Sequence, residues 1–313
     1  FVAARNFTNK IWNASRFIIM NLKCIDKLDD NVHPCELADE WIISEFASTA
    51  SKVKMAYESY NIDVASREIY NFFWTKYCDW YIELSKIRIM STDINVRKQV
   101  LLILTYILKS TLQLMSPIMP FITSEIWQIL GNDVQIIAES SLPAISEPQN
   151  MQSRLEKMKN IQDIIVKIRT LRSEMNISPS LLIESLFNVL EGSKENIEEI
   201  TKENEGYIKR LAKISSIQFG RNMAKPKNSA SVVAGGFEIF LPLEGLIDIK
   251  KERARLTKEI ALAAREVERT SLKLKNESFI NRAPGSEVEK IKTRFNEATL
   301  KIEKINESLK SLE

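Results

Sequence analysis

Apolar residues recur at three- and four-residue steps through most of the first 145 positions, a spacing that predicts helix after helix. Ile11, Ala14, Ser15, Ile18, Ile19 and Leu22 mark the first. Leu37, Trp41, Ile42, Phe46 and Val53 give a second its apolar side, over about 36–59. A third, from about Val64 to Lys86, is dense in rings, and its spacing assigns Phe73, Tyr77, Trp80 and Tyr81 to a bundle core. A fourth runs from about Asn95 to Met115 and stops at Pro117, because proline blocks continuation and constrains its predecessor. A fifth follows Pro120 and ends at Gly131-Asn132, a left-handed C-cap.

The texture changes after Pro143 and Pro148. Residues 151–176 predict a charged amphipathic helix with Ile161, Ile164, Ile165, Ile168 and Leu171 inside. β-like runs follow at Leu181–Leu190, Ile214–Phe219 and Val232–Leu241, with a helical stretch at about Lys194–Lys213 and an exposed polar loop at Asn222–Ser231. From Gly245 onward two long apolar repeats predict an antiparallel coiled coil reversing over Asn276–Ser286 around Pro284-Gly285. Its second arm carries Val288, Ile291, Phe295, Ala298, Ile302, Ile305, Leu309 and Leu312. The first carries Ile249, Leu256, Ala263 on one seam and Ile260, Val267, Leu274 on the other, with Arg253 and Thr270 as interruptions. An arm of about 30 residues would project roughly 45 Å. The expected class is mainly α: a helical bundle over 1–145, a small α+β connecting module over 150–244, and an antiparallel coiled-coil hairpin over 245–313.

Composition narrows the chemistry. With 8 glycines and 9 prolines in 313 residues, a glycine-rich phosphate loop or a turn-rich β-sandwich is disfavoured. His33 is the single histidine, leaving no basis for a His-built metal site or a Ser-His-Asp triad. Cys24, Cys35 and Cys78 form no CxxC pair and read as reduced, buried small hydrophobes. No stretch is long and apolar enough to span a bilayer, so the expectation is a cytoplasmic, membrane-free monomer. A net charge of +3 means that any nucleic-acid surface must be local.

Such a surface is suggested at the start of the chain. Residues 1–22 hold Arg5, Lys10 and Arg16 and no acid, interleaved with Phe7, Trp12, Phe17 and the amides of Asn6, Asn9 and Asn13. Cations pair with phosphates, rings stack on unpaired bases and amides read base edges, a set suited to single-stranded RNA. The same residues also read as core aromatics with solvated cations. Asp79 could orient an arginine. Arg169 and Arg172, one turn apart, read either as an RNA-backbone or domain-interface contact or as a solvated face. The first arm, Asp248–Lys275, holds nine cations against five acids, an excess of four that exceeds the charge of the whole chain. Mixed signs flanking a coiled-coil seam ordinarily serve solubility and register; if the arm meets RNA instead, Lys250, Lys251, Arg255, Lys258, Arg265 and Arg269 are its candidate backbone contacts.

Five stretches in order carry a resemblance. They are Ala4–Phe17 (ARNFTNKIWNASRF), Phe73–Leu84 (FWTKYCDWYIEL), Met115–Trp127 (MSPIMPFITSEIW), Ile168–Ile177 (IRTLRSEMNI) and Leu241–Asp248 (LPLEGLID). The chain resembles, over essentially its whole length, the C-terminal region of valyl-tRNA synthetases, which are class I aminoacyl-tRNA synthetases. The second and third stretches are shared with the isoleucyl and leucyl enzymes, whereas the first and the terminal arm are more particular to the valyl type.

The resemblance implies an anticodon-binding bundle, with Arg5, Asn9, Lys10, Trp12, Asn13, Arg16 and Phe17 as contact candidates, and a coiled-coil arm against the outer corner of the L-shaped valine tRNA. The family's HIGH and KMSKS signatures are absent from these residues, and Ser140-Ser141-Leu142-Pro143 stands where a tryptophan often precedes the proline. The expectation is therefore the C-terminal part of a larger enzyme. Activation with ATP and Mg, transfer and editing would belong to a missing N-terminal portion, and no cofactor or catalytic residue to these residues. Two rivals remain: a scaffold whose coiled coil dimerises or recruits a protein, and the equivalent part of an isoleucine or leucine enzyme. The cysteine-rich zinc ending common in the isoleucine type is missing.

Overall fold

The computed structural model describes residues 2–23, 25, 33–131, 136–143, 150–194, 196–245, 249–276 and 284–311. They form two compact units, Phe1–Gln162 and Asp163–Glu313.

The first unit is a helical bundle built around α5 (Ile94–Met115), which packs against α1 (Val2–Leu22), α2 (Leu37–Glu58), α3 (Ile62–Asn71), α4 (Ile82–Ile89) and α6 (Pro120–Ile129). Its central position explains its sequence: Val100, Leu101, Ile103, Leu104, Ile107 and Leu108 face all directions and all are fully buried. Each such side chain contributes about 1.5–3 kcal/mol of transfer free energy. Asp93 starts the helix by accepting the Asn95 N–H at 2.8 Å. Gly131 has the expected left-handed φ of 64°; Asn132 lies outside the described residues.

The ring-dense third helix departs from simple α geometry. Between α3 and α4, Phe72–Tyr81 winds as a π-helix, the wider i→i+5 turn. Phe72, Phe73, Tyr77, Cys78 and Tyr81 point inward, while Trp80 is only half-buried, against the expectation that it sits in the core. The Tyr77 hydroxyl donates to the Leu104 carbonyl at 2.6 Å. Tyr81 donates to Asp39 at 2.8 Å. Asp39 is fully buried and also accepts from both arms of the Arg88 guanidinium and from the Cys35 and Glu36 N–H groups at 3.2 and 3.3 Å. This knot joins the entry to α2, the π segment and α4. Cys35 is exposed rather than buried; Cys78 is buried, and burial pushes its thiol up to about 12. Cys24 lies outside the described residues.

α7 (Met151–Glu174) contains the divide between the units. In the second unit, β1 (Ile183–Val189), β2 (Ile214–Arg221), β3 (Ser229–Ala234) and β4 (Phe237–Pro242) form a sheet of order β2-β1-β4-β3. β1 is parallel to β2 and antiparallel to β4. Phe187 sits at its centre, 5.5 Å from the Phe219 ring and 5.4 Å from Phe237. α8 (Ile197–Glu203) and α9 (Glu205–Ala212) replace the single helix expected between the first two strands, with buried Asn204 at the break. The run Val232–Leu241 is two strands, and β3 begins inside the expected loop. Gly235 and Gly236, at φ 54° and 84°, make the two-residue turn that a tight antiparallel hairpin requires.

α10 (Ile249–Lys275) and α11 (Gly285–Ser311) pack along each other as the hairpin. Leu256 and Ala263 lie buried in the seam against Val288, Ile291, Ala298 and Ile305. Thr270 does not interrupt the repeat: it is buried one heptad after Ala263, and its hydroxyl donates to the Glu266 carbonyl at 2.6 Å, so no polar group is left bare. Arg253 does interrupt it, exposed at a seam position. Leu312 and most of the expected reversal, 277–283, lie outside the described residues.

Candidate nucleic-acid interface

α1 turns Phe7, Ile11, Ala14, Ser15 and Ile18 into the bundle, and this choice fixes what faces outward. Phe7 lies 4.8 Å from the Tyr70 ring and 6.1 Å from Phe73. The opposite face presents Arg5, Asn9, Trp12, Asn13 and Arg16, all exposed, at helical steps that keep them adjacent. Trp12 is 40% exposed, and among the described residues it makes no ring contact. Arg5 and Arg16 make no ion pair among the described residues. The result is a stripe of two cations, two amides and one open indole face.

Two of the seven candidates on α1 are engaged elsewhere. The Lys10 ammonium pairs with Asp79 at 2.7 Å and lies 5.1 Å above the Trp74 ring. Asp79 thus holds a lysine, not an arginine. Phe17 is half-buried, with the Lys86 ammonium 5.7 Å above it. Met20, 60% exposed and four residues past Arg16, extends the stripe; an apolar residue gave the sequence reading no reason to include it.

A second stripe lies on the hairpin. The seam buries Leu256, Ala263 and Thr270 on α10, and the outward face carries Lys258, Leu262, Arg265, Arg269 and Leu272, all exposed, at alternating four- and three-residue steps. Arg255, half-buried, begins the same row and pairs with Glu259. Arg255 also lies 3.4 Å from the Glu174 carbonyl. Arg269 pairs with Glu266 at 2.7 Å. Lys258 and Arg265 make no ion pair among the described residues. The side chains of Lys250 and Lys251 lie outside the described ones. Leu262 and Leu272, 64% and 65% exposed, belong to neither seam and were missed because only charged residues were weighed for the outer face.

Arg169 and Arg172 meet at one place but differ in role. Arg169 is exposed and donates through Nε to the Leu211 carbonyl at 2.8 Å. Arg172 is 5% exposed and donates to the carbonyls of Lys213, Ser178 and Leu181 at 2.9, 2.8 and 2.7 Å. Neither the solvated face nor the interface between domains describes it: it clamps the end of α7 to the start of β1 and β2. Burial lowers its pKa from the usual arginine value.

Comparison with known proteins adds to this geometry. Residues 39–187 match the anticodon-binding domain of tRNA ligase, and residues 248–313 match the valyl tRNA synthetase tRNA binding arm. Along the whole chain, the valine–tRNA ligase of Syntrophotalea carbinolica is 37% identical over 312 residues. The chain belongs to the valyl-tRNA synthetase family. The Syntrophotalea alignment covers 98% of this chain and 34% of that protein. The Geobacter sulfurreducens valine–tRNA ligase is 36% identical, with coverage of 98% and 35%, and that of Bacillus subtilis is 36% identical, with 90% and 32%. The chain thus spans about a third of the length of the curated relatives it matches. The matched anticodon-binding residues run from α2 into β1, so α1 lies outside them, and the matched tRNA-binding arm covers α10 and α11. No described helix is long and apolar enough to cross a membrane.

Proposed function

We propose that this chain is the tRNA-gripping part of a valine–tRNA ligase, with α1 and its bundle on the anticodon of valine tRNA and the outer face of α10 on the tRNA corner. The observation that carries the reading is the exposed stripe of α1, whose cations have no acidic partner among the described residues. Arg5 and Arg16 would neutralise phosphates, Trp12 would stack on a base, and Asn9 and Asn13 would read base edges. Lys10, tied to Asp79, and Phe17, under Lys86, act in this reading as supports for the stripe. The arm contributes a charged rail with two apolar studs.

Its role in catalysis is positioning: two separated grips hold the acceptor end where a distant site can use it. ATP, Mg and the chemistry of adenylate formation and transfer are assigned to sequence other than these 313 residues, which hold neither HIGH nor KMSKS. Filter binding of valine tRNA across a salt series tests the proposal. Affinity should fall steeply with salt and exceed that for unrelated tRNAs; equal affinity for all tRNAs, or a flat salt response, would refute it.

A further inference from the structure

The base of the hairpin meets the end of α7 through one arginine. Arg255, in the second turn of α10, turns one edge of its guanidinium to the Asn176 amide, whose oxygen accepts from Nε and Nη2 at 3.0 and 3.1 Å. Nη2 also reaches the Glu174 carbonyl at 3.4 Å. Nη1 pairs with Glu259, which in turn faces Lys301 of α11 at 3.7 Å. One side chain thus ties both arms of the hairpin to the carbonyl end of α7, where the helix dipole favours a cation.

Asn176 is the left-handed residue that ends α7, at φ 50°, and the Ile177 N–H returns to the Arg172 carbonyl at 2.9 Å. Glycine is the usual residue at such a cap; asparagine adds an amide, and Arg255 engages it. Four residues earlier, Arg172 fastens the same helix end to the carbonyls of Ser178, Leu181 and Lys213. The sheet and the hairpin are therefore joined through one helix terminus with an arginine on either side. α11 also packs against β3, and two attachments define a direction where one would leave a pivot. From Arg255 to the last residues of α10 the helix runs about 30 Å at 1.5 Å per residue. A swing of about 10° at the base would move the tip about 5 Å, farther than a hydrogen bond can follow.

We infer that Arg255 is a positioning residue: with Asn176 it forms a shoulder that fixes the direction of the arm, and it does not itself hold a phosphate. The consequence for RNA binding rests on the function proposed above; the shoulder does not.

Spin labels on Thr170→Cys in α7 and Lys273→Cys in α10, both exposed, read that direction by pulsed EPR in the full chain carrying Cys24→Ser and Cys35→Ser. With the shoulder intact the distance distribution should be single and narrow. Asn176→Gly keeps the left-handed backbone and removes only the amide, whereas Arg255→Gln removes the guanidinium. Each should broaden the distribution by about 5 Å, and the two combined should do no more than either alone. Asn176→Asp keeps an acceptor and should keep the distribution narrow. In valine tRNA binding, Asn176→Gly and Arg255→Gln should each weaken affinity about 3- to 10-fold, because a swinging arm lowers the effective concentration of the second grip. The salt slope should stay as it was, since no phosphate contact is lost. Unbroadened distances in both variants would overturn the inference. So would a salt slope lowered by about one in Arg255→Gln with Asn176→Gly silent, which would make Arg255 a phosphate contact. Broadened distances with unaltered tRNA binding would uphold the shoulder and count against the arm's place on the RNA.

Discussion

Trp12→Leu separates recognition from packing on α1. The indole is 40% exposed on the outer face, whereas Phe7, 9% exposed, faces inward between Tyr70, Phe73 and Trp74. If a base stacks on Trp12, loss of the ring plane removes about 1–3 kcal/mol, or roughly a 5- to 150-fold rise in Kd. Leucine keeps enough apolar bulk to limit the folding cost to about 1 kcal/mol. Phe7→Ala, in contrast, should cost about 3–5 kcal/mol of stability through transfer and cavity terms. The assay is paired: tRNA binding at fixed salt, and urea unfolding of the same preparations. Trp12→Phe retains a ring and should recover most of the affinity. Binding by Trp12→Leu within twofold of the unaltered chain would refute stacking at this position, and so would Trp12→Leu and Trp12→Phe weakening binding equally.

Asp79→Asn should tighten tRNA binding about two- to fivefold at low salt, because it releases the Lys10 ammonium now held at 2.7 Å; a binding isotherm unchanged at low salt would contradict this. Asp39→Ala removes the buried carboxylate that accepts from both arms of the Arg88 guanidinium and from the Tyr81 hydroxyl, leaving Glu36 still facing Arg88, and should cost about 3–5 kcal/mol, read from urea midpoints. A cost below about 1 kcal/mol would mean that the knot is not holding α2 to α4. The Cys78 thiol, raised to about 12, makes stability pH-dependent. The unfolded thiol loses its proton near its ordinary value, about 8.5, while the folded one keeps it, so this contribution is complete below that pH. Between it and pH 12 stability should fall by up to about 1.4 kcal/mol per pH unit, and Cys78→Ala should remove that share. An unaltered alkaline slope in Cys78→Ala would refute the assignment.

The helices and the hairpin were legible because burial leaves a periodic trace. The seam residues Leu256, Ala263, Val288, Ile291, Ala298 and Ile305 are buried as their spacing requires. What was not legible depends on partners distant in sequence. Nothing near Lys10 shows that Asp79, 69 positions away, neutralises it. Arg172 looks like any helix-surface cation until the carbonyls of Ser178, Leu181 and Lys213 converge on it. The π-helical turn was hidden because the same aromatic residues satisfy an α-helical period almost as well. Thr270 looked like a break because hydroxyls are counted as polar, yet a hydroxyl bonded to its own helix backbone packs as a small apolar group. The strand pair β3–β4 was fused into one run because Gly235-Gly236 interrupts it only by backbone conformation.

The central claim places two separate surfaces of one chain on one RNA, and hydroxyl-radical footprinting of valine tRNA bound to the full chain tests it most directly. The account predicts protection of the anticodon loop and of the outer corner together. Arg5→Gln with Arg16→Gln should lift the first, and Lys258→Gln with Arg265→Gln the second. Protection confined to the acceptor stem, or a footprint that neither pair of substitutions alters, would contradict it.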